Sequence, residues 1–216
     1  MKLPLFLCTL LVLAGAAHAE DIAQVLTRSQ QMRLASLPAT AAAEPAAVTL
    51  QADFERLRHD LAPDEAVELR VVDGGTFAEA IADRTVVVNA TVAALPEICR
   101  LFVIAHELGH VVQGHQAQRV KLYQRHIPGE VVQQQTDAVA GALGRDASRQ
   151  AHRHEHAADG YAMRSLLAMG YSREDLLSMF FRLGHHGQTA THPGTGQRLA
   201  HLRMLDSETE LALAGE

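Results

Sequence analysis

Two histidines and a glutamate stand close together in the chain at a spacing that suits metal-assisted hydrolysis. His106 and His110 are four residues apart, and Glu107 follows the first of them. Positions four apart lie on nearly the same face of a helix, so both imidazoles can reach one ion. Glu107 would then lie beside the ion, where its carboxylate can accept a proton from an activated water molecule. This segment predicts a catalytic zinc site in which Glu107 is the general base.

The same spacing is also compatible with two solvated histidines and a surface carboxylate. The preceding residues argue against that alternative, because residues 101–104 read Leu-Phe-Val-Ile. Such an apolar run predicts that the helix is buried where the histidines begin, and buried polar groups need partners. We therefore expect His106 and His110 to bind a metal ion.

A catalytic zinc ion needs a third protein ligand and keeps one position open for water. An extended form of the motif would place a further histidine six residues after His110. That residue is Gln116, and the neighbouring His115 is out of register. The third ligand is therefore expected from another part of the chain.

The segment from Glu155 to Asp159 is the best source of that ligand. On a helix these two acidic residues share a face, so Glu155 can bind the ion while Asp159 accepts a hydrogen bond from a ligand histidine. His152 lies three residues before Glu155 on the same face and is the competing ligand. His154 and His156 point elsewhere on this helix and are expected to be solvated.

Three motifs in this order resemble the M48 family of zinc metallopeptidases over about residues 50–205. They are His-Glu-Leu-Gly-His at 106–110, Glu-His-Ala-Ala-Asp at 155–159 with Leu-Leu-Ala-Met-Gly-Tyr at 166–171, and Thr191-His192-Pro193 followed by Arg198-Leu199. The resemblance implies a zincin-like metallopeptidase domain with a small β-sheet before the helix that carries the first motif. It also implies a peptidase whose zinc ligands are His106, His110 and Glu155.

The same resemblance implies roles for the residues around the ion. Glu107 would be the general base, Asp159 would orient a ligand histidine, and His192 and Arg198 would lie near the active site. A developing oxyanion needs a donor besides zinc. His192 and Arg198 are our hypotheses for that donor, with Tyr161 as a weaker one. His192 remains open to a second role, as a fourth zinc ligand in a resting enzyme.

One part of the chain departs from the family pattern. Thr76-Phe77-Ala78 only partly fits the Asn-Ala-Phe-Ala stretch that the family often has before its edge strand. The β-branched run Thr85–Asn89 is our candidate for the strand that pairs with an extended substrate backbone, and an ordinary sheet strand is the alternative.

Hydrophobic periodicity and turn residues predict mostly helix with a small sheet near the front, which is an α+β class. Helices are expected at 20–37, 51–61, from 96 past 115, and at 130–143, 147–169, 172–183 and 197–205, and strands at 67–71 and 85–88. Gly170 is expected to end one helix, and Ser172 with Asp175 to cap the next.

The start of the chain predicts export. Lys2, a Leu-rich centre and Ala17-His18-Ala19 are typical of a secretory signal peptide over residues 1–19. Residues 20–49 then predict a helix and an Ala/Pro-rich linker, residues 50–206 the metallopeptidase domain, and residues 207–216 a C-terminal tail. No later apolar run approaches the length of a membrane span. Cleavage would leave Cys99 as the one thiol, expected to be buried, and the bacterial periplasm is the expected location.

Composition narrows the choice of function. A formal charge of −6 lacks the basic excess that nucleic-acid binding needs, and 13 histidines suit metal chemistry. We expect an exported endopeptidase with one zinc ion per chain that cuts unfolded or misassembled proteins in envelope quality control. The alternative is a His-rich periplasmic metal carrier, or a chaperone-like protein that does not cut. Glu107 favours the enzyme, because neither alternative needs a base beside the metal.

Overall fold

The computed structural model describes residues 20–61, 66–82 and 84–214, and the predicted signal peptide lies outside these ranges. The helices are α1 (Ile22–Ser36), α2 (Pro45–Leu61), α3 (Glu97–Val112), α4 (His115–His126), α5 (Gln133–Ala168), α6 (Arg173–Leu183) and α7 (Thr195–Ala214). The strands are β1 (Glu68–Val72), β2 (Ala78–Ile81) and β3 (Thr85–Asn89), and a short 3₁₀ helix spans Ala90–Ala94. This mostly helical arrangement with a small sheet before α3 confirms the predicted α+β class.

Strand β3 is the centre of the sheet. It pairs in parallel with β1 and antiparallel with β2, and all five of its residues are buried. A β-branched run of this kind suits a strand that is covered on both faces. Of the two alternatives for Thr85–Asn89, the ordinary sheet strand is therefore confirmed and the strand that pairs with substrate is wrong; β2 lies at an edge of the sheet instead. The short Ala-Glu-Ala-Ile sequence of β2 escaped prediction because it has little β-propensity.

Helix α3 runs through the middle of the core. It contacts α2, α5 and the sheet, and the apolar run before the histidines is buried there, with Leu101 and Ile104 fully so. Phe102 also packs edge-on against Phe180 of α6, with ring centroids 5.4 Å apart. Cys99 is a buried free thiol in the same core. Because these apolar residues anchor α3 in the core, the polar residues that follow them on this helix are buried too.

Two helix boundaries differ from the predicted ones. The helix expected to continue past His115 stops at Val112, because Gly114 takes a left-handed conformation with φ +62° and a new helix begins after it. The two helices expected between residues 130 and 169 are one helix of 36 residues, α5. Gly141 and Gly144 lie inside this helix, because a helix held by packing tolerates glycine.

The interpretation of residues 40–49 as a linker is wrong for its second half. Pro45 opens α2 at the first helical position, which suits a residue without an N–H, and Ala47 is buried in the main core. The last helix also runs further than predicted, to Ala214, where a tail was expected. The predicted stop at Gly170 (φ +91°) and the cap at Ser172, which accepts a hydrogen bond from the Asp175 N–H, are confirmed. No helix within the described ranges combines the length and apolar character needed to cross a membrane.

Candidate metal centre

The first motif and the acidic segment meet where α3 faces α5. His106, His110 and Glu155 each offer one ligand atom, and these atoms lie within 4.8 Å of one another. The Nε2 atoms of the two histidines are 3.2 Å apart. The Glu155 carboxylate lies 3.5 Å from His106 Nε2 and 3.4 Å from His110 Nε2. Two imidazoles and a carboxylate are a donor set that suits zinc, so this cluster could hold a metal ion.

Small residues allow the two helices to approach closely enough for this cluster. Gly109 lies against Tyr161, and a Cβ atom at position 109 would be 3.0 Å from the tyrosine ring. On α5, Ala158 and Ala162 are fully buried. Gly109 thus supplies a gap on α3 that Tyr161 of α5 fills.

Asp159 orients the first histidine. Its Oδ1 atom lies 2.9 Å from His106 Nδ1, and Arg198 donates two hydrogen bonds to the same carboxylate. Burial alone would raise the pKa of Asp159, but these hydrogen bonds lower it, so the group is a carboxylate. Burial likewise opposes a charge on His106, yet Asp159 and Glu155 together raise its pKa to about 10. The two carboxylates thus create a field that favours a cation.

Glu107 and Glu155 differ in their electrostatics although both are buried. Burial raises the pKa of Glu107, while the neighbouring His106 and His110 act in the opposite direction. For Glu155 the two histidines outweigh burial and lower the pKa far below its ordinary value. A permanent carboxylate suits a ligand, whereas a carboxyl with a raised pKa suits a group that takes up a proton.

The loop before α7 brings His192 to the same place. Its Nε2 atom lies 3.8 Å from Glu155 Oε1, and its Nδ1 atom lies 2.8 Å from Thr191 Oγ1. The side chain is 62% exposed, in contrast to the buried ligand cluster. His192 thus lies beside the candidate centre, on an exposed loop position.

Arg198 has a different partner from the one expected. Its guanidinium donates to Asp159 at 2.7 and 2.5 Å and lies over the Phe180 ring, 5.3 Å from the centroid. Its charge is therefore directed at the residue that orients His106. The structure supports a positioning contact for Arg198, and its role as the donor to an oxyanion stays a prediction.

Two other candidates lie away from the cluster. The Nε2 atom of His152 is 2.8 Å from the Thr189 carbonyl oxygen, so the choice between His152 and Glu155 falls on Glu155. The Tyr161 hydroxyl donates to the Leu61 carbonyl oxygen at 3.4 Å, and this residue does not line the cavity next to the cluster.

That cavity has a volume of about 970 Å³. Helix α3 contributes His106, Glu107 and His110 to its lining, and the edge strand β2 and the loop before α7 form further walls. His186 of the loop lines it too and is exposed. An extended peptide could enter beside β2, because that strand pairs with β3 on one side only.

Helix α1 forms a part of the cavity wall that the sequence did not indicate. Gln30 accepts a hydrogen bond from the Ala82 N–H at 2.9 Å, and Arg33 forms a 2.8 Å ion pair with Glu79 of β2. At its other end, the Glu20 carbonyl oxygen accepts from the Val131 N–H at 3.0 Å. These contacts join α1 to the edge strand and to the segment after α4.

Two histidines that were discounted in the sequence lie beside the cluster. His115 is buried, with its Nδ1 atom 2.9 Å from His110 Nδ1, and its ring stacks on that of His154 with centroids 4.0 Å apart. Burial and the nearby His110 lower the pKa of His115 to about 3 and that of His154 to about 4. The signal for this arrangement is Gly114, whose turn changes the direction of the chain.

A comparison with known protein families matches the part of the chain that carries the candidate metal centre. Residues 62–206, about two thirds of the chain, match the family model described as Peptidase family M48. The matched segment contains the metal cluster, Glu107, Asp159, His192 and Arg198, whereas α1 and α2 precede it. No curated protein matches the chain.

Proposed function

The chain belongs to peptidase family M48, and from that premise we propose that it is an exported zinc endopeptidase with one ion per chain. The observation that carries the proposal is the meeting of His106, His110 and Glu155, with Glu107 next to them in the wall of one cavity. A carrier or a passive chaperone would need the ligands but not the buried carboxyl beside them.

The residues fit a zinc ion, because their donor atoms converge and Asp159 orients one of the imidazoles. His106, His110 and Glu155 would hold it. The chemistry that zinc supplies when bound is a lowered pKa for water and polarisation of a carbonyl group. Glu107 takes the proton of the attacking water and passes it to the leaving amine. The raised pKa of Glu107 supports this role, since the group must hold that proton between the two steps.

We assign substrate binding to the edge strand β2. Its free edge borders the cavity and can add an extended backbone as a further strand. This assignment replaces the earlier expectation for Thr85–Asn89, which is central in the sheet. Recognition through backbone hydrogen bonds suits unfolded or misassembled proteins, because their chains are accessible in extended form.

Two roles of His192 remain hypotheses. The residue donates to the oxyanion, or it is a fourth zinc ligand in a resting state. Its position 3.8 Å from Glu155 is compatible with both. A His192→Ala protein distinguishes them, because loss of a donor lowers kcat without changing zinc coordination, whereas loss of a resting ligand changes the coordination spectrum. Unchanged activity and unchanged coordination would remove both roles.

Periplasmic envelope quality control is the biological part of the proposal. It is supported by the signal-peptide pattern of residues 1–19 and by the family. Cell fractionation of a tagged protein tests it. We expect the chain in the periplasmic fraction with Glu20 as its first residue, and recovery with the leader intact in the cytoplasm would contradict it.

Glu107→Gln tests the chemical part. The amide keeps the size of the side chain but cannot take up a proton, so the variant should retain about one zinc per chain and lose cleavage of casein. Glu44→Gln, the same change at an exposed position before α2, is the control and should cleave normally. Cleavage at the wild-type rate by Glu107→Gln would refute the mechanism. Zinc binding without casein cleavage by the wild type would favour the carrier or chaperone instead.

A further inference from the structure

His115 is buried beside the metal cluster without being part of it. It is 6% exposed, and its Nδ1 atom lies 2.9 Å from Nδ1 of His110. On an uninterrupted helix, a residue five positions after His110 would be rotated from it by about 140°. The left-handed Gly114 between α3 and α4 redirects the chain, and His115 faces His110 as a result.

The direction of this hydrogen bond follows from the orientation of His110. Its Nε2 atom faces His106 and Glu155, at 3.2 and 3.4 Å. A nitrogen that binds a metal carries no proton, so the proton of a neutral His110 lies on Nδ1. That N–H donates to Nδ1 of His115, which must therefore be an acceptor with its own proton on Nε2.

A second histidine holds the acceptor ring in place. The rings of His115 and His154 are parallel within 2°, with centroids 4.0 Å apart. His154 Nε2 lies 3.2 Å from the Gln118 side-chain oxygen, and the Gln118 amide donates to the Gln113 carbonyl oxygen at 2.8 Å. The stack is thus tied to the turn that contains Gly114.

We propose that His115 is the positioning residue of His110, fixing the tautomer and the ring orientation of that ligand. The inference rests on the proposed function, because it requires His110 to bind zinc. It gives the two ligand histidines unlike partners, a carboxylate for His106 and a neutral imidazole for His110. Loss of such a partner typically weakens metal affinity by about 10–100-fold.

The test compares zinc affinity, by competition with a chromophoric chelator, in wild type, His115→Phe and His115→Gln. Phenylalanine can still stack on His154 but offers no acceptor, whereas glutamine offers an amide oxygen. We expect zinc affinity to fall by about 10–100-fold in His115→Phe and to recover most of this loss in His115→Gln. The d–d spectrum of the cobalt-substituted protein should change and recover in parallel. His59→Phe, at an exposed position on α2, is the control.

Wild-type zinc affinity and an unchanged cobalt spectrum in a folded His115→Phe protein would overturn the inference. Should that variant not fold, long-range ¹H–¹⁵N spectra of the zinc-loaded wild type decide. A proton on Nε2 of His115 supports the inference and a proton on Nδ1 overturns it. A wild type that binds no zinc overturns the proposed function as well. Cleavage by Glu107→Gln, with zinc affinity still dependent on His115, overturns the proposed function alone.

Discussion

At the scale of single residues, the centre depends on a buried charge pair as much as on its ligands. Asp159 is fully buried, and its carboxylate is shared between His106 and Arg198. A guanidinium that is mostly buried with its partner becomes an uncompensated charge when that partner is removed. Asp159 therefore contributes to stability and to the orientation of His106 through the same two oxygens.

We expect Asp159→Asn to lower the free energy of unfolding by about 3–5 kcal/mol, because it leaves the largely buried Arg198 without its carboxylate partner. Urea denaturation measures this loss. Asp137→Asn, the same change at an exposed position on α5, is the matched control and should leave the midpoint unchanged. Equal midpoints for the two variants would show that the Asp159–Arg198 pair is not stabilising.

The histidine stack predicts a dependence of stability on pH in chelator-treated protein. The folded-state pKa values of His115 and His154 are lowered to about 3 and about 4, against about 6.5 for an unfolded histidine. Between these values the unfolded chain binds more protons, so stability rises with pH. We expect the full contribution above pH 6.5 and a progressive loss as the pH falls from 6.5 towards 4.

Unfolding free energies at pH 7.5 and 5.5 measure this loss. The difference between the two should be smaller in His115→Gln, because glutamine does not titrate. An identical pH dependence in wild type and variant would mean that the pKa of His115 does not differ between the folded and the unfolded protein.

At the scale of elements, two glycines with opposite backbone conformations have opposite relations to helix ends. Gly114 is left-handed and separates α3 from α4, whereas Gly144 lies inside α5. A Cβ atom at either position would meet nothing within 4 Å. Substitution by alanine at these sites therefore reports on backbone conformation without steric interference.

Gly114→Ala should destabilise the protein by about 1–2 kcal/mol, the cost of a left-handed alanine. Gly144→Ala should stabilise it by about 0.5–1 kcal/mol, the gain expected inside a helix. Thermal unfolding of the two variants measures both effects. Destabilisation by Gly144→Ala would indicate that α5 is broken near this residue, as the sequence had suggested.

These elements also show which parts of the fold the sequence could predict. The periodic apolar run of α3, the stop at Gly170 and the cap at Ser172 are local signals, and they were interpreted correctly. The strand β2 and the continuity of α5 depend on packing against other elements, so no local pattern indicates them. Within the site, His106 and Glu107 follow from spacing, whereas the place of His115 depends on the φ angle of a single glycine.

At the scale of the whole molecule, the metal cluster joins two helices that are distant in the chain. His106 and His110 belong to α3 and Glu155 to α5, so an ion bound to all three would crosslink the core. The segment outside the family match also takes part, because α1 contacts the edge strand through Gln30 and Arg33. The cavity is therefore bounded by elements from both ends of the described chain.

We expect chelation of zinc to lower the free energy of unfolding by about 4 kcal/mol when free zinc had been 1,000-fold above its dissociation constant. Thermal unfolding with and without chelator measures this change. Glu155→Ala should abolish the sensitivity to chelator, because it removes a ligand. His152→Ala should retain it, because this histidine faces Thr189 instead. The reverse result would identify His152 as the third ligand.

The contact between Gly109 and Tyr161 leaves almost no space for a side chain at position 109, next to the candidate metal centre. Only a hydrogen atom separates α3 from the tyrosine ring at that point, since a methyl carbon would approach to 3.0 Å. A Cβ atom added there would push α3 and α5 apart and move the imidazoles away from the carboxylate. A substitution that alters no donor atom can therefore disturb the centre, and Gly109 is a position where we expect this.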